Sequence, residues 1–254
     1  MNPSLSIDRL SRRKQHSPAG EQSVSAITQK VSAVLVLPLA LVLLFAGACM
    51  IVAGIASYQA EAFISDWEKA GNEPEARAWQ IAHDAAQRAT SLYPVANGDY
   101  LDRLGRIHSW QQFRQPYAAP TAASSRHAAL DAYRAAVAAR PSWPYTWAHL
   151  AHSKLYLQEF DDEFAHALSQ AFQLGPWRIG VNRELAEIGF SAWPHLSESQ
   201  RQTTLESARR SIAYGHAEAQ RLLKIAQHTD KLPQLCGSLS RELINNRKLS
   251  PCLN

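Results

Sequence analysis

An all-α fold is what this sequence predicts: one N-terminal transmembrane helix followed by a helical-repeat domain, an α-solenoid. Three observations carry that expectation. An uncharged apolar run lies near the N-terminus, the rest of the chain is rich in Ala, Leu, Gln and Arg without alternating strand patterns, and three Ala-faced segments each end on a proline.

The apolar run covers residues 31–56, and no charged residue occurs between Lys30 and Glu61. As a helix rising 1.5 Å per residue it reaches roughly 39 Å, against a hydrocarbon core of about 30 Å. Small residues such as Gly47, Ala48, Ala53 and Gly54, and a tolerated proline at Pro38, suit a membrane helix. A cleaved secretory signal has an apolar region of about 7–15 residues, shorter than this run. The FAGAC stretch ending at Cys49 loosely resembles a lipoprotein processing box, but Ala46 stands where a larger aliphatic residue is usual and the apolar run continues past the cysteine. Cys49 is expected to be an inert apolar residue.

Residues 1–30 carry Arg9, Arg12, Arg13, Lys14 and Lys30 against Asp8 and Glu21, so most of the net charge of +4 sits in this tail. It is read as a disordered, basic, cytoplasmic segment. Basic residues beside a first membrane helix favour the cytoplasmic side, which places the remainder outside the cytoplasm, in the periplasm of a bacterium whose inner membrane holds the helix. That remainder is close to electrically neutral, which excludes a nucleic-acid partner reading a basic face.

Residues 57–233 are read as the helical domain. The segments ending at Pro94, Pro141 and Pro176 share one pattern, small residues on a helical face and then a proline. Their prolines stand 47 and 35 residues apart. The second interval is close to the 34-residue tetratricopeptide period, and the first has about 13 extra residues, assigned to a Pro- and Ala-rich loop around residues 111–125. Matching first helices are marked by Trp147, Leu150 and Ala151, by Leu104-Gly105 and by Ile188-Gly189, whose small residues allow close helix contact. Phe164 departs from the repeat pattern, where a small residue is usual. Further on, Ser197 and Gln200 have capping-box spacing and Gly215 is a helix stop. One more helix is expected to close at Pro233.

Residues 234–254 hold Cys236 and Cys252, the two cysteines outside the apolar run. On an oxidising side of the membrane they are expected to pair, two free thiols being the alternative, and the bridge would close a loop worth roughly 3 kcal/mol.

No catalytic constellation emerges: GxSxG, Walker and dinucleotide-binding patterns are all missing. His149, His152 and His166 could meet on facing helices, but no zinc motif accompanies them, and they are read as ordinary partly buried or surface histidines. Asp161, Asp162 and Glu163 are read as a helix-capping turn, and Glu184 and Glu187 as a solvated face. The chain is therefore expected to need no cofactor, metal or catalytic residue. Trp143, Tyr145 and Trp177 cluster in sequence around one repeat junction and are the candidate binding residues, while Trp147 occupies a core position of its repeat.

The stretches RPSWPYTWAHLAHSKLYLQEFDDEF and ALSQAFQLGPWRIGVNRELAEIGFSAW, with the N-terminal anchor and late cysteines, resemble the VpsP-type polysaccharide biosynthesis family. The resemblance implies a tetratricopeptide-like exported part and an accessory role in exopolysaccharide synthesis or export, with biofilm-matrix machinery as the setting. It supplies no catalytic residues. The expectation is a non-enzymatic scaffold whose partners are polysaccharide synthesis or export proteins, with glycan as a further partner. The rival readings are a glycan-binding or glycan-processing protein, and an envelope assembly factor such as one for cytochrome maturation.

Overall fold

The computed structural model describes residues 19–253, with side chains described from Val34 onward except Leu35. Eleven α-helices and no strands are present among the described residues. In chain order they are α1 (Ala19–Ala70), α2 (Ala76–Leu92), α3 (Gly98–Trp110), α4 (Ala123–Ala139), α5 (Pro144–Leu157) and α6 (Asp162–Leu174). Then follow α7 (Ile179–Ser191), α8 (Glu198–Tyr214), α9 (His216–His228), α10 (Leu232–Ser238) and α11 (Arg241–Arg247).

The chain divides into two units, residues 1–48 and 49–254. In the first, α1 carries exposed apolar side chains, among them Leu37, Leu41, Leu44 and Phe45. One helix among the described residues is long and apolar enough to cross a membrane, α1 from Val36 onward, with a mean hydropathy of 2.7 in its most apolar window. Pro38 lies inside it. The helix begins at Ala19, so residues 19–30, read from sequence as part of a disordered tail, are helical. Once a long helix is nucleated, adding turns costs little, and the Ser- and Gln-rich flank simply extends it. Residues 1–18 of that tail lie outside the described residues.

The second unit starts within the same helix. Ala53, Ala56 or Ser57, Ala60, Ile64 and Trp67 recur every three or four residues and are buried. Arg103 of α3 grips this face, donating to Ser57 Oγ at 2.7 Å and to Glu61 Oε2 at 2.8 Å. One face of the last turn of the sequence-defined apolar run, with Ala53 and Ala56, is thus covered by protein, while Ile55 on the other face stays exposed.

From α3 to α8 the helices pack most closely as consecutive pairs: α3 with α4, α5 with α6 and α7 with α8. For α3–α4 and α5–α6 this is the pairing that the segments ending at Pro141 and Pro176 imply, and the extra residues assigned to 111–125 form the turns within the first of these pairs, between α3 and α4, ending in a short 3-10 turn at Pro120–Ala122. Local chemistry fixes the ends. Pro144 opens α5 after Trp143. The Asp161 carboxylate accepts from the Phe164 N–H at 3.0 Å and caps α6, and Ser197 with Gln200 forms a full capping box on α8. Gly215 separates α8 from α9. Pro233, expected to close a helix, instead sits in the first turn of α10, where its missing N–H costs nothing; α9 has already ended at His228. Phe164 is buried with Leu150, Leu155, Val181 and Leu185, so the bulky departure from the repeat pattern fills the core between α5, α6 and α7.

Two of the small residues singled out for close helix contact, Gly105 and Gly189, sit hard against side chains of the paired helix. A Cβ on Gly105 would meet the Tyr133 ring at 2.5 Å, and one on Gly189 would overlap the Thr204 side chain. Tyr133 is buried and its hydroxyl is held by Ser109 at 3.0 Å, so it has nowhere to go. Alanine gains about 1 kcal/mol of helix propensity over glycine but meets an overpacking cost of roughly 1–3 kcal/mol. Gly105→Ala is therefore expected to lower the midpoint of thermal unfolding. Gly237→Ala, with nothing within 4 Å of the added Cβ, is expected to leave it unchanged or raise it.

Candidate functional site

The odd-numbered helices α1, α3, α5 and α7 present side chains to a shared inner face of the second unit, and two cavities open there. The first, of about 280 Å³, is lined among others by Trp110, Phe113, Tyr133, Tyr156, His149 and His152. The second, of about 540 Å³, is lined among others by Asp99, Arg103, Trp143, Tyr145 and Arg183. Glu68, Arg106, His149 and Glu184 belong to both.

A polar network runs beneath these cavities from α1 to α7. Arg106 bonds Glu61 at 3.1 Å and Glu68 at 2.7 Å. The Asp102 carboxylate accepts from the Thr146 hydroxyl at 2.9 Å, and the same oxygen lies 2.9 Å from His149 Nδ1. Glu184 closes the line, with Oε1 at 3.1 Å from His152 Nδ1 and Oε2 at 3.9 Å from His149 Nε2.

Burial by itself would neutralise these groups, but the partners outweigh it. Burial disfavours the Asp102 anion, yet the facing His149 and the hydrogen bonds from His149 and Thr146 hold its carboxyl below the usual range. Glu184 is likewise opposed by burial and held low by His149 and His152. Conversely, burial disfavours both imidazolium ions, while Asp102 and Glu184 raise His149, and Glu184 raises His152, above the ordinary imidazole value. Elsewhere on α3 the balance tips the other way: burial, with His83 nearby, pushes His108 down to about 4.

The sign of the pH dependence follows. Raised imidazole values contribute stability that is complete below the unfolded-state value of about 6.5 and is lost as pH rises through the folded-state values. The depressed carboxyls contribute stability that is complete above about 4 and is lost as pH falls through their folded-state values. Resistance of the native chain to thermal unfolding is expected to fall on raising the pH from about 6 to 9. Glu184→Gln removes the anion that both imidazoles face, so its stability should fall less over the same interval. Equal slopes would show that the network does not carry the alkaline limb.

Of the residues proposed from sequence, Trp143 and Tyr145 stand together, with ring centroids 5.6 Å apart, on the rim of the larger cavity. The Arg140 guanidinium lies over the Trp143 ring at 4.1 Å. Trp177 is 90 % exposed and lines neither cavity, so the three aromatics do not form one site. Trp147 packs against the core and donates its Nε1–H to the Pro141 carbonyl at 2.8 Å.

His166 is separated from the other two histidines, stacking edge-on against Trp147 at 5.2 Å. Among the described residues no group of three or more His, Cys, Asp or Glu side chains is arranged to hold a metal ion. Glu184, read as part of a solvated face, is instead folded into the polar network. Its sequence neighbour Glu187 lines a different cavity, beside Tyr117 and Phe190.

Sequence reasoning did not single out Asp102 or Arg106, and it took His149 and His152 as scattered. A signal was present: Tyr145, His149, His152 and Tyr156 are spaced by four, three and four residues, one polar and aromatic stripe along α5.

Cys236 and Cys252 are joined in a disulfide, with Cα atoms 5.2 Å apart. Cys49 is unpaired. Compared with family models and with curated proteins, the chain matches none.

Proposed function

We propose that this chain is a membrane-anchored scaffold: α1 holds it in a bacterial inner membrane, N-terminus inside, and the exported helical unit docks a component of an exopolysaccharide synthesis or export machine on its inner face. The observation that carries the docking role is the pair of adjoining cavities on that face, rimmed by Trp143 and Tyr145 and floored by the Asp102–His149–Glu184–His152 network. A polar floor whose side chains already hold one another through His149–Asp102 and His152–Glu184 contacts keeps such a surface rigid before a partner arrives, which lowers the ordering cost of binding. Tethering adds effective concentration at the membrane without any new contact. The basic N-terminal residues support the orientation, the disulfide supports an oxidising compartment, and the resemblance described above supports the polysaccharide setting.

The test is photo-crosslinking in the native host. A photoreactive residue at Trp143 should capture a polysaccharide synthesis or export protein, and one at exposed Tyr214, away from both cavities, should not. If Trp143 captures only haem-handling or other envelope proteins, the polysaccharide assignment is lost. Identical capture from both positions would remove the inner face as the docking surface.

A further inference from the structure

The smaller cavity has a narrower chemistry than a general docking face needs. One part of its wall is aromatic, with Trp110 and Phe113 edge-to-face at 4.7 Å and the Tyr133 and Tyr156 rings beside the two histidines. The other part is polar and already organised. The Nδ1 atom of His149 faces Asp102 and that of His152 faces Glu184, which leaves the Nε2 edge of each ring to serve the cavity. His149 Nε2 and Glu184 Oε2 stand 3.9 Å apart, too far to bond each other. A hydroxyl group, donor and acceptor at once, can bridge such a pair, accepting from the imidazolium N–H and donating to the carboxylate.

The charges around the cavity are otherwise committed. Arg106 is held by Glu61 and Glu68. Arg126 donates to the carbonyls of Gln115, Pro116 and Tyr156 and stacks on the Tyr156 ring at 4.9 Å. No guanidinium lining this cavity is left over for a phosphate or carboxylate, and Glu184 already faces two imidazoles, so it is a poor seat for an amine. Aromatic faces for ring C–H groups, bridging positions for hydroxyls and matched charges select one ligand class.

We propose that this cavity binds a pyranose ring of a neutral oligosaccharide, its C–H face on the aromatic wall and its hydroxyls on His149 and Glu184. The adjoining larger cavity shares Glu68, Arg106, His149 and Glu184 and adds Trp143 and Tyr145, which places room for a second sugar next to the first. The inference rests on the inner face being the working face, and it gives that face a saccharide ligand in addition to a protein partner.

The test uses the purified full-length chain in lipid nanodiscs and saturation-transfer NMR. The probes are neutral oligosaccharides of glucose, galactose, mannose and N-acetylglucosamine, with oligogalacturonate and oligoglucosamine as charged counterparts. At least one neutral probe should bind saturably, and more tightly than either charged one. Glu184→Gln and Phe113→Leu should each weaken it by about tenfold, the loss expected for one charge-assisted hydrogen bond or one stacking face. Tyr214→Ala should leave binding unchanged. His152→Gln replaces Glu184→Gln if the latter does not fold, as judged by circular dichroism. The proposal is overturned if no neutral probe saturates, if a charged probe binds as tightly, or if the substitutions leave affinity unaltered. Crosslinking from Trp143 to a machinery protein without sugar binding would overturn this inference and leave the scaffold standing. Sugar binding without protein capture would do the reverse.

Discussion

Replacing Lys154 by alanine is expected to destabilise the helical unit by about 2 kcal/mol, chiefly through the space its buried stem leaves, because the three acids it pairs with are part-exposed and water screens those pairs. The Lys154 side chain is 1 % exposed, and its ammonium reaches three carboxylates, Glu159 at 3.1 Å and Asp161 and Glu163 at 2.8 Å each. Glu159 and Asp161 lie on the turn between α5 and α6 and Glu163 in the first turn of α6, where Arg134 of α4 bonds it from the other side at 2.7 Å. One cation therefore ties the end of α5 to the start of α6 and, through Glu163, to α4.

Alanine leaves the acids facing one another and empties the space filled by the lysine stem. The acid limb of stability supplies a second readout. The hydrogen bonds from Arg134, against a smaller opposing effect of burial, and those from Lys154 hold Glu163 at about 2. The native chain should thus lose stability as pH falls from about 4 toward that value, whereas the variant should gain relative to it because protonation relieves repulsion. Thermal unfolding of the detergent-solubilised chain across this range measures both effects. A variant that tracked the native protein would contradict the role given to Lys154.

Breaking the Cys236–Cys252 bridge is expected to cost roughly 3 kcal/mol, the chain-entropy value for a loop near this length. The sequence separation is 16 residues, with α11 between the cysteines. Leu239, Ile244 and Leu249 from this loop are buried with Leu222, Leu223 and Phe190, so the bridge closes a small satellite core over α8 and α9. It is assisted by Arg247, which donates to the Ile212 and Ala213 carbonyls at the end of α8. Cys236→Ser with Cys252→Ser should raise amide hydrogen exchange from α10 to the C-terminus while protection in α4–α7 holds. Exchange unchanged in the tail would mean that packing and Arg247 suffice without the bridge.

How far the sequence could be read follows from the range of the forces involved. The helix ends were legible because capping is local: Asp161 and Ser197 act on N–H groups three residues ahead. The close-contact glycines Gly105 and Gly189 were legible because a repeat places a small residue where two helices cross. The polar floor was not. Asp102 and His149 are 47 residues apart and His152 and Glu184 are 32 apart, so nothing in either neighbourhood announces the partner. Their meeting depends on the stacking of successive helix pairs, which the degenerate repeats indicate only in outline.

The same reason explains Trp177. Its place beside Pro176 matched that of Trp143 beside Pro144, but the turn into α7 leaves it 90 % exposed while Trp143 folds back onto Tyr145 and Arg140. Pro233 was misplaced because a proline marks a helix start as readily as a stop, and only α10 beyond it decides between them.

The claim on which the rest depends is that α1 anchors the helical unit on the far side of a membrane from the basic N-terminus. Fusing alkaline phosphatase and, separately, a cytoplasm-dependent fluorescent protein after the last residue of the chain in a bacterial host measures it directly. The account predicts an active phosphatase, a dark fluorescent fusion and a chain that remains full-length in the membrane fraction. A bright fluorescent fusion with inactive phosphatase would contradict it.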